Sequence, residues 1–337
     1  MDIQTLREEK QKVIQRHGDW TDHNIHIAEN IYTIGENVLS TRLRRIVQIV
    51  ADVCNEPFAN LRVLDLACLE GLYAIEFARQ GARAVGIEGR ESNIEKARFI
   101  QKALGLDPLL TLCQDDVRNL CREKYGEFDV VLCLGILYHL DTPDVFRFVE
   151  NIADVTTRLA VIDTYVSIAS KDIRTHEGKS YWGREIFEHF PSDSTEQRLS
   201  RAWASLDNPK SFWLTERSLY NLLSACGFTT VYQCQVPSDV YKPADRITLL
   251  AIKGKPQTLV STPKVNEIPV ADWPERWKPR VSPEQDPRVL ISKRLSHMVP
   301  SALKRPVKAV LRATGLMAKN PQRWRAEPRP PRDTTQS

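Results

Sequence analysis

From Leu61 onward the chain alternates short, continuous apolar runs with stretches in which apolar residues recur every three or four positions. The runs have the length of strands buried on both faces, and the stretches between them read as amphipathic helices. Such alternation belongs to a mostly parallel sheet with crossover helices on its two sides. Seven strands are expected, near 61–66 (LRVLDL), 83–88 (RAVGIE), 109–114 (LLTLCQ), 128–134 (FDVVLCL), 157–164 (TRLAVIDT), 228–234 (FTTVYQC) and 246–253 (RITLLAIK). The fold class this predicts is α/β, with a doubly wound, seven-stranded sheet.

The helices carry their own punctuation. Ser92 and Glu95 form the pattern of a capping box ahead of Ile94, Ala97 and Leu104. Thr142 stands as a cap before Pro143 at a first helical position, followed by Val145, Phe148, Val149 and Ile152 on one face. Thr215 opens another helix with Leu219, Leu222, Leu223 and Cys226 on one side, closed by Gly227.

Four regions fall outside this rhythm. Residues 1–45 form an amino-terminal cap segment ahead of the domain at 46–255. Within that domain, residues 166–214 are a long insertion rich in aromatics (Tyr181, Trp182, Phe187, Phe190, Trp203, Phe212, Trp213), too long for a structureless loop and expected to form a lid or small helical cap. Residues 256–290 are proline-rich and polar and read as a linker. In the tail, 291–337, Ser301 precedes an apolar stripe of Leu303, Val307, Val310 and Leu311, flanked by Lys304, Arg305, Lys308 and Arg312, the pattern of a short basic amphipathic helix that Pro306 weakens.

Charge sharpens this division. Residues 290–337 hold 11 Lys/Arg against 2 Asp/Glu, whereas residues 1–289 hold 36 against 41. A mildly acidic body argues against a large nucleic-acid surface there, and the basic tail permits contact with RNA or with anionic membrane. The seven cysteines are unclustered and sit mostly in apolar runs, as reduced core thiols of a cytoplasmic protein do. The charged amino terminus and the lack of any apolar run of about 18 residues point away from secretion and membrane spanning, and peripheral attachment at the inner membrane face rests on the tail alone.

Candidate chemistry gathers at the strand ends. In VLDLACLEG, Asp65 ends the first strand and Gly71 opens a helix, where an open α/β sheet binds its ligand. Glu88 ends the second strand, suited to ribose hydroxyls, and Asp116 follows the third, within reach of an adenine amino group. Dinucleotide turns need glycine where the backbone approaches a pyrophosphate, but Ala67 and Leu69 occupy those positions. S-adenosylmethionine has no phosphate and carries a positive amino group and sulfonium, which suit a carboxylate such as Asp65.

Taken together, VLDLACLEG, GIEGRESNIEKA, DDVRNL and LGILYHLDTP resemble the successive motifs of class I S-adenosylmethionine-dependent methyltransferases, whose domain is Rossmann-like. LYH, SFWLTERSL…CGF and WTDHNIHI…YTIG resemble more narrowly the bacterial family related to the tRNA wobble-uridine carboxymethyltransferase, over roughly residues 20–253. The resemblance implies that Asp65, Ala67, Gly71, Glu88, Asp116 and Leu134 contact the cofactor. Leu69 departs from the superfamily's glycine. It also implies that Tyr138 and Arg246 match a tyrosine and an arginine which, in the tRNA-modifying relative, hold an added carboxylate of the cofactor. That relative's lysine motif has no counterpart here, so plain S-adenosyl-L-methionine is expected.

The fourth strand delivers LGILYHL to the reacting end. His139, with an unperturbed pKa of about 6.5, suits a general base, or else it caps a helix or a buried carbonyl. Asp163 orients that histidine, binds substrate, or is an exposed strand-end acid. His23, His26 and Tyr32 lie in a segment expected to fold over the acceptor. The two histidines have the spacing of a metal pair but lack further ligands, so no metal is expected. Trp182 and Trp213 are placed to stack on a sugar or base, or to pack within the lid. The expected function is O-methylation of a small molecule or saccharide. The alternatives are a tRNA wobble-uridine methyl or carboxymethyl transferase, for which Tyr138 and Arg246 speak, and a catalytically silent cofactor-binding scaffold, suggested by Ala67 and Leu69.

Overall fold

The computed structural model describes residues 2–35, 40–236 and 242–255, so the linker and the basic tail lie outside the described residues. Helix α1 (Ile3–His17), the hairpin β1 (His26–Ala28) and β2 (Ile31–Tyr32), and helix α2 (Thr41–Cys54) precede the sheet. Then come β3 (Arg62–Leu66), α3 (Leu72–Arg79), β4 (Arg83–Glu88), α4 (Glu91–Ala103), β5 (Leu110–Gln114), α5 (Arg122–Tyr125), β6 (Phe128–Leu134), α6 (Asp144–Val155) and β7 (Thr156–Tyr165). The insertion supplies β8 (Asp172–His176), β9 (Lys179–Phe187), α7 (Thr195–Ser200) and β10 (Lys210–Leu214), and the chain closes with α8 (Glu216–Ala225), β11 (Thr230–Gln233) and β12 (Arg246–Ile252).

All seven expected strands are present, in the order β11-β12-β7-β6-β3-β4-β5. The five from β3 to β7 pair in parallel, and β12 runs antiparallel between β7 and β11. Period-two alternation along β6 divides the core: Val131 and Cys133 face Phe146, Phe148 and Ile152, while Val130 and Leu132 face Ile46, Val50, Ile75 and Phe77. Each such buried side chain contributes about 1.5–3 kcal/mol. An exposed ion pair such as Lys12–Glu9 contributes about 1 kcal/mol at most. The sheet is therefore held by its two apolar faces.

Three local expectations are corrected. Helix α4 starts at Glu91 without a side-chain cap from Ser92, because Glu88 at the preceding strand end accepts hydrogen bonds from Arg90 N (2.9 Å) and Asn93 Nδ2 (3.3 Å). Thr142 does not cap α6; Pro143 holds the cap position and the helix begins at Asp144. The boundary at 45/46 falls inside α2, whose apolar face (Ile46, Ile49, Val50) packs into the domain, so the amino-terminal segment is not separable there. Thr215 does cap α8, and Gly227 follows it at φ 91°.

The insertion is chiefly an antiparallel sheet, β10-β9-β8, rather than a helical cap. Alternation along β9 and β10 sends Tyr181 and Phe212 into the core beside Phe146 and Trp182 outward, while Phe187, on the same face as Tyr181, is exposed at the end of β9. Arg90 ties the rest of the insertion to the end of the central sheet by donating to the carbonyls of Leu199, Arg201, Ala204 and Ser205.

Candidate active site

A cavity of about 770 Å³ opens at the carboxyl ends of the parallel strands, under the insertion. Its floor is the turn between β3 and α3. Ala67 and Leu69 stand there in left-handed backbone at φ 52° and 51°, the conformation that glycine adopts without penalty, and both line the cavity. The turn persists because its surroundings hold it: Leu69 N donates to Glu88 (2.9 Å), Leu72 N to His23 Nδ1 (3.2 Å) and Ala74 N to Asp65 (3.2 Å). Gly71, expected to contact the cofactor, is not among the lining residues; it lacks a Cβ because one would press on Ala97 and Ile75 at 3.0 Å. Removing the left-handed strain by Ala67→Gly is expected to raise unfolding stability by roughly 0.5–1 kcal/mol, read from the midpoint of urea denaturation.

The strand-end acids differ in environment. Asp65 is buried, and burial pushes its carboxyl up to about 7 against the hydrogen bond from Ala74 and the charge of Arg42. Burial also raises the Glu88 carboxyl, opposed by its backbone hydrogen bonds from Arg90 and Leu69. Glu88 lines both the main cavity and a side recess of about 60 Å³ that Asp116 and Val117 wall. Asp116 accepts from Arg118 N (2.8 Å) and pairs with the Arg118 guanidinium. Leu134 lines the main cavity next to Gly135.

His139 lines both the main cavity and the side recess; its Nδ1 lies 3.1 and 3.0 Å from the two oxygens of Glu188, and Glu188 also accepts from Ser205 N at 3.0 Å. Burial opposes ionisation of Glu188, but these hydrogen bonds outweigh it and hold the carboxyl below its ordinary range. A carboxylate at Nδ1 places the imidazole proton there and leaves Nε2 as the basic nitrogen. Glu188, absent from the sequence reading, thus takes the role considered for Asp163. Asp163 is buried and accepts from Arg246 Nε (2.7 Å) and Thr248 Oγ1 (2.6 Å), with Arg42 at 3.1 Å and Lys242 at 3.3 Å. Burial would raise its carboxyl, yet Arg42 and Arg246 hold it far below the ordinary range. Tyr138, Tyr165 and Trp213 form one aromatic wall, with Trp213 stacked on Tyr165 at 5.2 Å. Trp182 does not reach this cavity.

The amino-terminal segment contributes one of its three expected residues. His23 is buried on the cavity wall, and burial, with Arg42, pushes its pKa down to about 3, which keeps it neutral and accepting from Leu72 N. His26 and Tyr32 lie against each other, their rings tilted with centroids 4.7 Å apart, on the surface hairpin and line no part of the cavity. The histidine pair is therefore split, and among the described residues no group of three or more His, Cys, Asp or Glu is placed to hold a metal ion. Glu70 was also unforeseen. It is fully buried and pairs with Lys96 (3.3 Å) while accepting from the backbone N–H groups of Thr21, Asp22 and His23.

The fold and this cavity define the class: a Rossmann-like sheet of the methyltransferase type with its ligand site at the strand ends. Residues 63–158 match the family model described as "Methyltransferase domain". The chain is 32% identical over 92 residues to the ubiquinone biosynthesis O-methyltransferase of Bartonella quintana (strain Toulouse), covering 27% of this chain and 35% of that one. With the protein of the same name from Rickettsia felis it shares 28% identity over 130 residues, 39% of this chain and 50% of the other. It thus spans about a third to a half of the length of these relatives. Among solved structures it resembles the N-terminal domain of EvdMO1 with SAH bound (TM-score 0.58, 24% identity, 75% of this chain and 98% of that one). The same domain in the presence of SAH and D-fucose gives a TM-score of 0.57 at 24% identity over 74% and 97% of the two chains. At that identity the likeness establishes the fold.

Proposed function

We propose that this protein is an S-adenosylmethionine-dependent methyltransferase acting on a hydroxyl of a small molecule, with a saccharide as the acceptor that its aromatic wall suits best. The observation that carries the reading is the joint layout of one cavity, lined both by the carboxylates at the ends of β3 and β4 and by the His139–Glu188 pair. The O-methyltransferase names of the partial relatives agree with it.

The residues fit the cofactor. Side chains on Ala67 and Leu69 fill the space a pyrophosphate would need, whereas Glu88 and Asp116 stand where ribose hydroxyls and an adenine amino group are accepted, and Asp65 where a positive amino group is. When bound, S-adenosylmethionine supplies an electrophilic methyl group on a sulfonium. The protein's own task is to align the acceptor, exclude water and take up its proton. His139 takes that proton at Nε2, and the negative Glu188 stabilises the imidazolium that results. The insertion, fastened by Arg90, roofs the cavity against water.

Two measurements test the cofactor end. Glu88→Ala is expected to weaken cofactor binding by about 1.5–3 kcal/mol, the loss of hydrogen bonds to a charged acceptor, while unchanged affinity by calorimetry in a folded variant would remove Glu88 from the site. Asp65 gives a pH signature. Its folded pKa of about 7 lies above its ordinary 3.8, so between those values the folded protein keeps a proton that the unfolded chain has lost, and stability falls as pH rises through that window. A cation placed beside Asp65 favours the ionised form. Cofactor affinity is therefore expected to rise from about pH 6 to 8, with a proton released on binding near pH 6.5. Calorimetry in buffers of different ionisation enthalpy reads that proton, and its absence would separate Asp65 from the amino group.

A further inference from the structure

Three hydrogen-bond donors converge over Gly135, the residue after β6. A Cβ on this glycine would stand 3.6 Å from Arg42 Nη2, 3.6 Å from Arg246 Nη2 and 3.8 Å from the Tyr138 hydroxyl. The donors come from α2, β12 and the turn at 137–139, and they ring a space the size of one small group. Charge points the same way. Arg42, Lys242 and Arg246 all bear on the single carboxylate of Asp163, so this group of four carries two positive charges in excess. Arg45 and Asp65 line the same cavity, and the cofactor's amino group placed beside Asp65 balances that carboxylate. Arg246 meets Asp163 through Nε, which leaves its outer nitrogen for another partner, and Arg42 Nε is buried with no hydrogen-bond partner.

We propose that this end of the cavity is an oxyanion subsite that holds a carboxylate or phosphate carried by the methyl acceptor, with Arg42, Arg246 and Tyr138 as its donors. The inference rests on the methyl-transfer reading above and gives its substrate a class: a sugar acid or sugar phosphate, its ring against Tyr138, Tyr165 and Trp213. Sheet order separates the subsite from the nucleoside end. Asp163 and Arg246 lie on β7 and β12, on the far side of β3 from the β4 carboxylate of Glu88. Two guanidinium groups reach this point, Arg246 through an outer nitrogen and Arg42 through the Nη2 that also faces Asp163, and such groups suit planar or tetrahedral oxyanions, with a hydroxyl donor to complete the set.

The test uses the full chain saturated with SAH, titrated with D-glucuronate, D-glucose 6-phosphate and D-glucose and followed by saturation-transfer NMR. At least one acidic sugar is expected to bind about tenfold or more tightly than glucose, the worth of one to two charge-assisted hydrogen bonds. Arg246→Gln should abolish that preference. Tyr138→Phe, which keeps every ion pair, should reduce it about threefold, and both variants should hold SAH within about twofold of the unmodified chain. The subsite is overturned if the three sugars bind alike or none binds, or if Arg246→Gln lowers SAH affinity and spares the preference. Mass spectrometry of the copurified nucleoside adds a separate arm: a carboxyl group beyond that of S-adenosylmethionine would assign the anion to the cofactor and overturn its placement on the acceptor. Failure of the unmodified chain to bind SAH would sink the methyl-transfer reading itself and the subsite with it, an outcome distinct from loss of the preference alone.

Discussion

His139→Ala is expected to lower turnover by about 10²–10⁴-fold while cofactor affinity stays unchanged, the signature of a lost general base. The separation is expected because the turn at Ala67–Gly71 is held by Glu88, His23 and Asp65, whereas His139 hydrogen-bonds Glu188 and holds no part of that turn. Glu188→Gln is the companion variant. It keeps an acceptor for Nδ1–H but removes the charge that stabilises the imidazolium, so kcat should drop by more than about tenfold with little change in KM. Single-turnover rates and cofactor calorimetry on both variants check this. If His139→Ala loses binding and thermal stability together, the histidine is a packing residue.

The largest effect on stability is expected at Glu70. Glu70→Ala should cost about 3–5 kcal/mol, because it strands the buried ammonium of Lys96 and leaves three backbone donors without an acceptor. Urea denaturation reads the loss directly. The backbone that Glu70 holds includes His23, which in turn accepts from the first turn of α3, so cofactor affinity should fall as well. Replacing both partners, Glu70→Gln with Lys96→Met, should recover part of the stability, since no charge is then buried alone. A shift below about 1 kcal/mol for Glu70→Ala would show that water reaches the site and replaces the carboxylate.

The two variants also mark where reading the chain as a string stops. His139 could be placed at the reacting end because it follows a strand of seven apolar or semi-buried positions, and a parallel strand can only end on that side of the sheet. Glu188 could not be paired with it. The two are separated by α6, β7 and the insertion, and no periodicity encodes how far β9 runs before it turns over the cavity. Glu70 sits in the recognisable turn, yet its carboxylate looks solvated in sequence and is buried only because the amino-terminal segment folds across it.

Periodicity also misled where its kind was mistaken. His23 and His26 share a face if the segment is helical, but it is extended around a hairpin, where an odd spacing sends side chains to opposite sides: one to the cavity wall, the other to solvent. Trp182 and Trp213 share the sheet face opposite the core aromatics Tyr181 and Phe212, since Trp213 pairs with Arg184, two residues from Trp182; they differ only in position along that face, where Trp213 borders the cavity and Trp182 does not.

What the chain determined on its own was the seven-stranded sheet, the turn after β3 and the strand-end acids Asp65, Glu88 and Asp116, since local apolar runs and turn chemistry suffice to specify them. What only tertiary structure decided was the company these residues keep. Arg42 comes from α2, Lys242 and Arg246 from the chain ahead of and within β12, and Glu188 from the insertion, and their charges acquire meaning only where burial removes the water that would otherwise screen each from the next.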